Sequence, residues 1–258
     1  MSLDFLSTDP VRYSLGPYHP TLPKGLKLDL ELDGDRVVSA RVVRGFFHRG
    51  LAKSMELQSW NALIAYADHL DPEAAIFPEI AAAMAVEQIA SIEVPPRAAR
   101  VRIVLCELAR LSSHLAYLAR MAQACGAEAA FHYFLRDRER ILDLFELLTG
   151  SRFSHGFVCF GGVRADITEG FIERVSEACD LLRSRTREHN EVMTMNSSFR
   201  ERSEGSGWLT REAAVQYGAS GPVARAAGLG LDFRRMGTSL GYEKVDFDVP
   251  MGRPEVVQ

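Results

Sequence analysis

Arg97 to Ala124 reads RAARVRIVLCELARLSSHLAYLARMAQA. Val101, Val104, Leu105, Leu108, Leu111, Leu115 and Leu118 recur along it every three or four residues, the spacing that draws one long apolar stripe down a helix. Such a stripe needs neighbours to cover it, and the flanking sequence carries the same period. Ala75 to Ala90, closed by Pro95-Pro96, lies ahead of it; Arg136 to Leu148, closed by Thr149-Gly150 where glycine suits a left-handed cap, lies behind. Leu51 to Tyr66 and Asp166 to Arg185 are predicted as two further helices, the second with Ile172, Val175, Cys179 and Leu182 on one face. Antiparallel helices joined by short loops make a bundle.

Upstream the period changes to two. Leu26 to Leu32 (LKLDLEL) alternates, Asp33-Gly34-Asp35 turns the chain, and Arg36 to Val43 (RVVSARVV) returns as a β-branched run, which predicts a hairpin. From Asn196 onward Ser, Gly and Arg dominate, apart from a short helix after Thr210. The fold class expected is mainly α with a small N-terminal antiparallel β-sheet (α+β). Three regions are expected: 1–50 with the loop and hairpin, 51–195 with the bundle, and a loop-rich 196–258.

Composition narrows the classes of function. A length of 258 residues, 47% hydrophobic and 25% charged, suits a water-soluble globular chain with a sizeable core. Thirty Lys and Arg against thirty-four Asp and Glu leave a net charge of -4, which argues against a nucleic-acid partner. No signal peptide is visible, and the most apolar stretch, Ile76 to Ile92, is interrupted by Pro78, Glu79 and Glu87. Cys106, Cys125, Cys159 and Cys179 form no C-x-x-C pair and read as reduced thiols of a cytoplasmic protein.

The chemistry-bearing candidates sit between helices. Gly16-Pro17-Tyr18-His19-Pro20 is a rigid turn presenting a histidine whose ordinary role is structural. Gly45-Phe46-Phe47-His48-Arg49-Gly50 puts a His-Arg pair at a helix start, equally suited to meet an anion or redox centre and to be a plain turn with a surface arginine. Phe160-Gly161-Gly162-Val163-Arg164 asks for special backbone angles or close approach. His114 reads as a packed histidine, and Arg136 to Arg140 (RDRER) as a solvated face laced by weak pairs.

Taken in order, GPYHP, the hairpin, GFFHRG, Ala85 to Ala98 (AVEQIASIEVPPRA), Glu107 to Leu115 (ELARLSSHL), Arg138 to Arg152 (RERILDLFELLTGSR), Gly161 to Arg164 (GGVR), Gly221 to Ala226 (GPVARA) and Asp246 to Pro250 (DFDVP) resemble one family across almost the whole chain. It is the superfamily of the respiratory complex I 49 kDa (D) subunit and the large subunit of energy-converting nickel-iron hydrogenases. The resemblance implies a helical bundle of the hydrogenase large-subunit type. It also implies that 196–258 is shorter than the family's C-terminal region, which carries one of the two Cys-x-x-Cys pairs of the hydrogenase branch. The other pair aligns with Asp71 and Ala74. In the complex I branch a His, a Tyr and an Asp hold the quinone headgroup; here they align with Pro23 or Lys24, Pro72 and Ala124. Ala52 replaces a Glu, His69 stands where an Arg lies beside the terminal iron-sulfur cluster, and Ser154 replaces a His, with His155 adjacent.

The resemblance implies a subunit of a membrane-associated, NADH-quinone oxidoreductase-like electron-transfer complex, at its iron-sulfur to quinone end and inactive on its own. The expected partners are a small iron-sulfur subunit, membrane arm subunits and other peripheral-arm subunits, at the cytoplasmic face of the cell membrane. His48, Arg49, Arg152 and His155 are expected on the cluster-facing side, Tyr18 and His19 at the border of a quinone pocket, and Tyr66 and His69 are further candidates for the pocket and the cluster-facing side. No metal or cofactor is expected to be bound directly, quinone being the one ligand left open. The competing reading is a catalytically silent scaffold or assembly subunit that has lost both the metal ligands and the quinone-headgroup residues.

Overall fold

The computed structural model describes residues 10–20, 22, 25–237 and 240–252. Two compact units divide it, Met1–Leu57 and Gln58–Gln258. About 55% of the chain is helical and one small three-stranded sheet accompanies the helices, the mixed class that the periodicities predict.

The first unit is an antiparallel sheet of β1 (Val11–Leu15), β2 (Lys27–Asp33) and β3 (Arg36–Val43), in that order, followed by the short helix α1 (Leu51–Met55). The predicted hairpin forms with Asp33 opposite Arg36 and Gly34 at φ +58°, an angle that L side chains rarely adopt. A register shift at Glu31/Leu32 marks a bulge. Strand β1 adds a partner absent from the sequence reading, Val11 pairing with Leu32 and Leu15 with Leu28. Five residues are too few for alternation to stand out. Gly25 is the one buried residue among those described in this unit, while Val11, Tyr13, Val37, Val38, Val42 and Phe47 are exposed.

The second unit is the bundle: α2 (Trp60–Asp68), α3 (Ile76–Ala90), α4 (Pro96–Ala124), α5 (Glu128–Thr149) and α6 (Phe171–His189), the last running into a π-helical turn at Asn190–Thr194. A two-residue hairpin, β4 (Val158–Cys159) and β5 (Gly162–Val163), interrupts it, and α7 (Ser197–Ser203), α8 (Arg211–Gln216) and α9 (Gly221–Ala226) follow. The stripe of α4 is packed as predicted. Leu105, Ala109, Ala119 and Ala122 lie at its centre against Ala130, Phe134, Ile141 and Phe145 of α5. Alanines in the seam let the two longest helices approach closely. Pro96 starts α4, where its missing N–H is no loss, and Gly150 ends α5 at φ +79°.

Four predicted features are corrected. The single helix over Leu51 to Tyr66 is two, because Ser59 takes an extended backbone as the cap of α2 and the boundary between the units falls at Leu57. Helix α5 begins at Glu128, eight residues before the predicted Arg136, since Ala130 and Phe134 continue its buried face. Helix α6 begins at Phe171 instead of Asp166. Asp166 accepts the Ile167 N–H and pairs with Arg97, and Gly170 turns the chain at φ +75°. The RDRER run is not a solvated face throughout: Asp137 is fully buried, accepting from Arg136 Nε at 3.0 Å, from His189 Nε2 at 2.7 Å and from Arg185. Burial opposes its ionisation, and the hydrogen bonds from Arg136, His189 and Arg185 outweigh burial, holding its carboxyl below the usual range. Only the tail of α6 folding back on α5 supplies two of them.

Candidate functional site

The loop from Gly150 to Arg164 carries the densest set of candidates, and buried acids on α3 pin it in place. Glu79, fully buried, accepts the backbone N–H groups of Gly156, Phe157 and Val158 at 2.9, 3.0 and 3.0 Å. Farther along the same helix, Glu87 accepts the Gly161 N–H at 2.8 Å and clasps Arg102 of α4 through two bonds of 2.6 and 3.0 Å. Arg102 in turn donates to the carbonyls of Cys159 and Gly162. The Gly-Gly pair has the role its sequence suggested: Gly161 turns at φ +79° and Gly162 lies against Ala98 of α4, where a Cβ would come within 3.4 Å.

The two acids differ in charge state. Burial works against an ionised Glu87, but Arg102 and the Gly161 N–H prevail and hold its pKa low. At Glu79 burial wins with help from the neighbouring Asp68, and the pKa is raised to about 8, so Glu79 holds a proton at neutral pH. Asp68, itself buried at the end of α2, accepts the His155 N–H at 3.2 Å.

That contact joins two stretches holding four of the expected residues. Tyr66 and His69 flank Asp68; Tyr66 is half-buried, and His69 is exposed, its Nδ1 donating to the Ala65 carbonyl at 2.8 Å. His155 stacks on Phe145 with ring centroids 4.1 Å apart, Nδ1 lying 3.2 Å from the Ser151 carbonyl. Burial lowers its pKa despite that carbonyl and Asp68, so the imidazole is neutral at pH 7. Arg152 offers less positive charge than its sequence suggests. Three carboxylates of α5 surround it: Asp143 at 2.8 Å, Glu146 at 3.3 Å, and Glu139. These pairs are one-third exposed or more, so Arg152→Ala should change stability by no more than about 1 kcal/mol in urea melts. A larger loss would mean the arginine holds the loop instead of presenting it.

In the first unit Tyr18 is 86% exposed, and the His19 carbonyl accepts the Leu22 N–H at 3.0 Å. The turn they occupy needs Gly16, where a Cβ would meet the Leu26 carbonyl at 2.3 Å. His48 and Arg49 are exposed; the His48 N–H closes a turn on the Gly45 carbonyl. Pro23 and Lys24 lie outside the described residues. Pro72 sits in the turn between α2 and α3, and Ala124 ends α4; neither side chain can donate a hydrogen bond. Beside Asp71 and Ala74, Glu73 clasps Arg120 of α4, one of the two bonds at 2.6 Å. Among the described residues no three or more His, Cys, Asp or Glu side chains gather as metal ligands, and all four cysteines are free. Burial pushes the Cys106 thiol up to about 12, far from a metal-binding thiolate. The donors among the described residues therefore do not fit a nickel-iron site or an iron-sulfur cluster.

A second constellation escaped the sequence reading. Glu107, Arg110 and His114 stand at i, i+3 and i+7 on α4, so they share one face. Glu107 accepts the Tyr242 hydroxyl at 2.6 Å, Arg110 at 3.2 Å and Arg234 at 3.3 Å, and Arg234 forks onto Asp232. Of these, Arg110, His114, Asp232, Arg234 and Tyr242 line, together with Arg225, a cavity of about 400 Å³. The signal lay in E-x-x-R-x-x-x-H, and His114, read as packed, stands at the cavity's edge.

Known proteins share this fold and much of its sequence. Residues 124–255 match the family described as respiratory-chain NADH dehydrogenase, 49 Kd subunit. The D subunit of the NADH-quinone oxidoreductase of Desulforamulus reducens is 37% identical over 247 residues, covering 96% of this chain and 68% of that protein. The H subunit of the chloroplastic NAD(P)H-quinone oxidoreductase of Staurastrum punctulatum is 36% identical, covering 93% and 61%. The NADH-quinone oxidoreductase D subunit of Acidothermus cellulolyticus is 38% identical, covering 94% and 56%. The chain thus spans 56 to 68% of the length of these relatives. A chain from the membrane-bound sulfane sulfur reductase, described as an archaeal respiratory membrane complex, superposes with a TM-score of 0.90 at 31% identity, covering 98% of this chain and 67% of that one.

Proposed function

Because this chain belongs to the 49 kDa subunit family of respiratory-chain NADH dehydrogenases, we propose that it is the subunit of a membrane-associated, NADH-quinone oxidoreductase-like complex at which electrons pass from an iron-sulfur cluster to quinone. Its activity is that of the complex. One observation carries this reading: 37% identity to an NADH-quinone oxidoreductase D subunit runs through 96% of the chain, strands and bundle alike. The relatives are named as oxidoreductase subunits, which favours an electron-transfer role over a silent scaffold.

In this reading a small iron-sulfur subunit holds the cluster and faces His48, Arg49, Arg152 and His155. The exposed Val38 and Val42 on one face of β3, and the exposed Phe47 in the loop after it, support a surface built to be covered by such a partner. Among the described residues no helix is long and apolar enough to cross a membrane, and membrane arm subunits at the cytoplasmic face would supply attachment. Quinone supplies two carbonyls that must receive protons as well as electrons. Since Pro72 and Ala124 cannot donate to them, Tyr18, His19 and Tyr66 are the first candidates for that role.

The test uses the intact complex, purified through a tag on this chain. An iron-sulfur subunit and membrane subunits should co-purify, and a quinone analogue should inhibit electron transfer. Replacing Tyr66 by Phe or His19 by Ala should weaken inhibition by about threefold to tenfold, the worth of one hydrogen bond. Adding Pro72→Tyr with Ala124→Asp should strengthen it. Full activity in a complex lacking this chain would leave the scaffold reading standing. Strong inhibition indifferent to Tyr18, His19 and Tyr66 would show that the pocket lies elsewhere.

A further inference from the structure

We propose that the cavity between α3, α4 and the segment carrying α9, Arg234 and Tyr242 binds a small organic carboxylate with an apolar body. This is a site apart from the electron-transfer role and does not rest on it. Its volume of about 400 Å³ lies in the range of small-molecule sites, and its composition follows their pattern, an apolar wall with a few convergent polar groups. Phe77 and Met84 of α3 and Leu240 supply the apolar lining; Arg110, Arg225 and Arg234 line the same cavity.

The charges do not balance. Three guanidiniums meet two carboxylates, Glu107 and Asp232, which leaves one positive charge in excess and suits a monoanion. Arg110 and Arg234 are well engaged. Arg110 bonds Glu107 and lies over the Phe77 ring, and Arg234 makes a fork to Asp232 with bonds of 3.0 and 2.8 Å. Arg225 is different: its side chain is only 12% exposed, yet among the described residues its guanidinium makes one hydrogen bond, a long 3.4 Å to Asp232. A largely buried guanidinium carries five N–H donors in a planar fork, and leaving them without acceptors is costly. A carboxylate entering the cavity would meet that fork in the two-point geometry that Arg–carboxylate pairs favour. At the edge, burial and the nearby guanidiniums hold His114 neutral, so it can hydrogen-bond the ligand without adding charge.

Calorimetric titration of the full chain with octanoate tests the proposal, with octanamide and acetate as controls. Octanoate should bind, and the uncharged amide and the bodiless acetate should each bind at least tenfold more weakly. Arg225→Gln should weaken octanoate at least tenfold, Arg225→Lys should restore part of the loss, and Met84→Trp, which fills the apolar end, should abolish binding. Thermal melts establish that each variant is folded; if Arg225→Gln is not, the amide comparison and Met84→Trp still decide. No heat with octanoate, equal binding of octanamide, or binding that survives both Arg225→Gln and Met84→Trp would overturn the site.

Discussion

Replacing Arg102 by Met should destabilise the chain by roughly 3–5 kcal/mol, because it strands a buried carboxylate. The Arg102 side chain is 1% exposed and that of Glu87 7%, and the pair has no water to fall back on. Met preserves much of the volume, so the loss is electrostatic and not a cavity. The carbonyls of Cys159 and Gly162 lose their donor in the same step, and β4 and β5 should show faster amide exchange. Converting Glu87 to Met as well removes the stranded charge and should recover about 1–2 kcal/mol, with the rest lost to the unpaired carbonyls and the Gly161 N–H. Urea melts of the two variants measure this. A single-variant cost below about 1 kcal/mol would mean that the carboxylate reaches solvent.

Glu79→Ala is the second large effect, expected on the order of 3–5 kcal/mol, from three backbone N–H groups losing their acceptor and a void opening beneath the loop. It also carries a signature in pH. The folded protein keeps a proton on Glu79 that the unfolded chain gives up near its ordinary value of 4.5. Between there and about 8 the folded state binds more protons, so this carboxyl makes stability fall as pH rises through that window. Glu87, Asp137 and Asp232 act in the opposite sense and lower, giving stability above their ordinary values that is lost as pH falls; Asp232 is held at about 2 by Arg234. His155, kept neutral by burial, adds stability as pH rises through 6.5 in both proteins. The difference between wild type and Glu79→Ala therefore isolates Glu79: it should be large at pH 5.5 and smaller at pH 8.5. An equal difference at both would show that Glu79 is ionised throughout.

The candidate site divides between what a linear reading can reach and what it cannot. The loops GPYHP, GFFHRG and GGVR were legible because glycine and proline state local backbone demands, and Gly16 and Gly161 meet them through close approach and positive φ. The clasps that hold the loop carrying GGVR were not legible. Glu79 and Glu87 stand in the sequence as charges interrupting an apolar run, with nothing to say that they are buried, since their partners lie 15 to 79 residues away. Asp137 defeats a linear reading for the same reason: its neighbours Arg136, Arg138 and Arg140 account for a surface pattern, whereas two of its three partners, Arg185 and His189, arrive on another helix.

Helix period, strand period and the turn residues between them are properties of a few consecutive amino acids, and from them the sequence by itself determined the bundle around α4, the hairpin of β2 and β3, and the cap at Gly150. Tertiary structure alone decided which charges are buried, which of them are ionised, and that Arg110, Arg225 and Arg234 close on one cavity. Burial and pKa depend on the sum of groups within a few ångströms in space, and that sum is assembled only when helices distant in sequence come into contact.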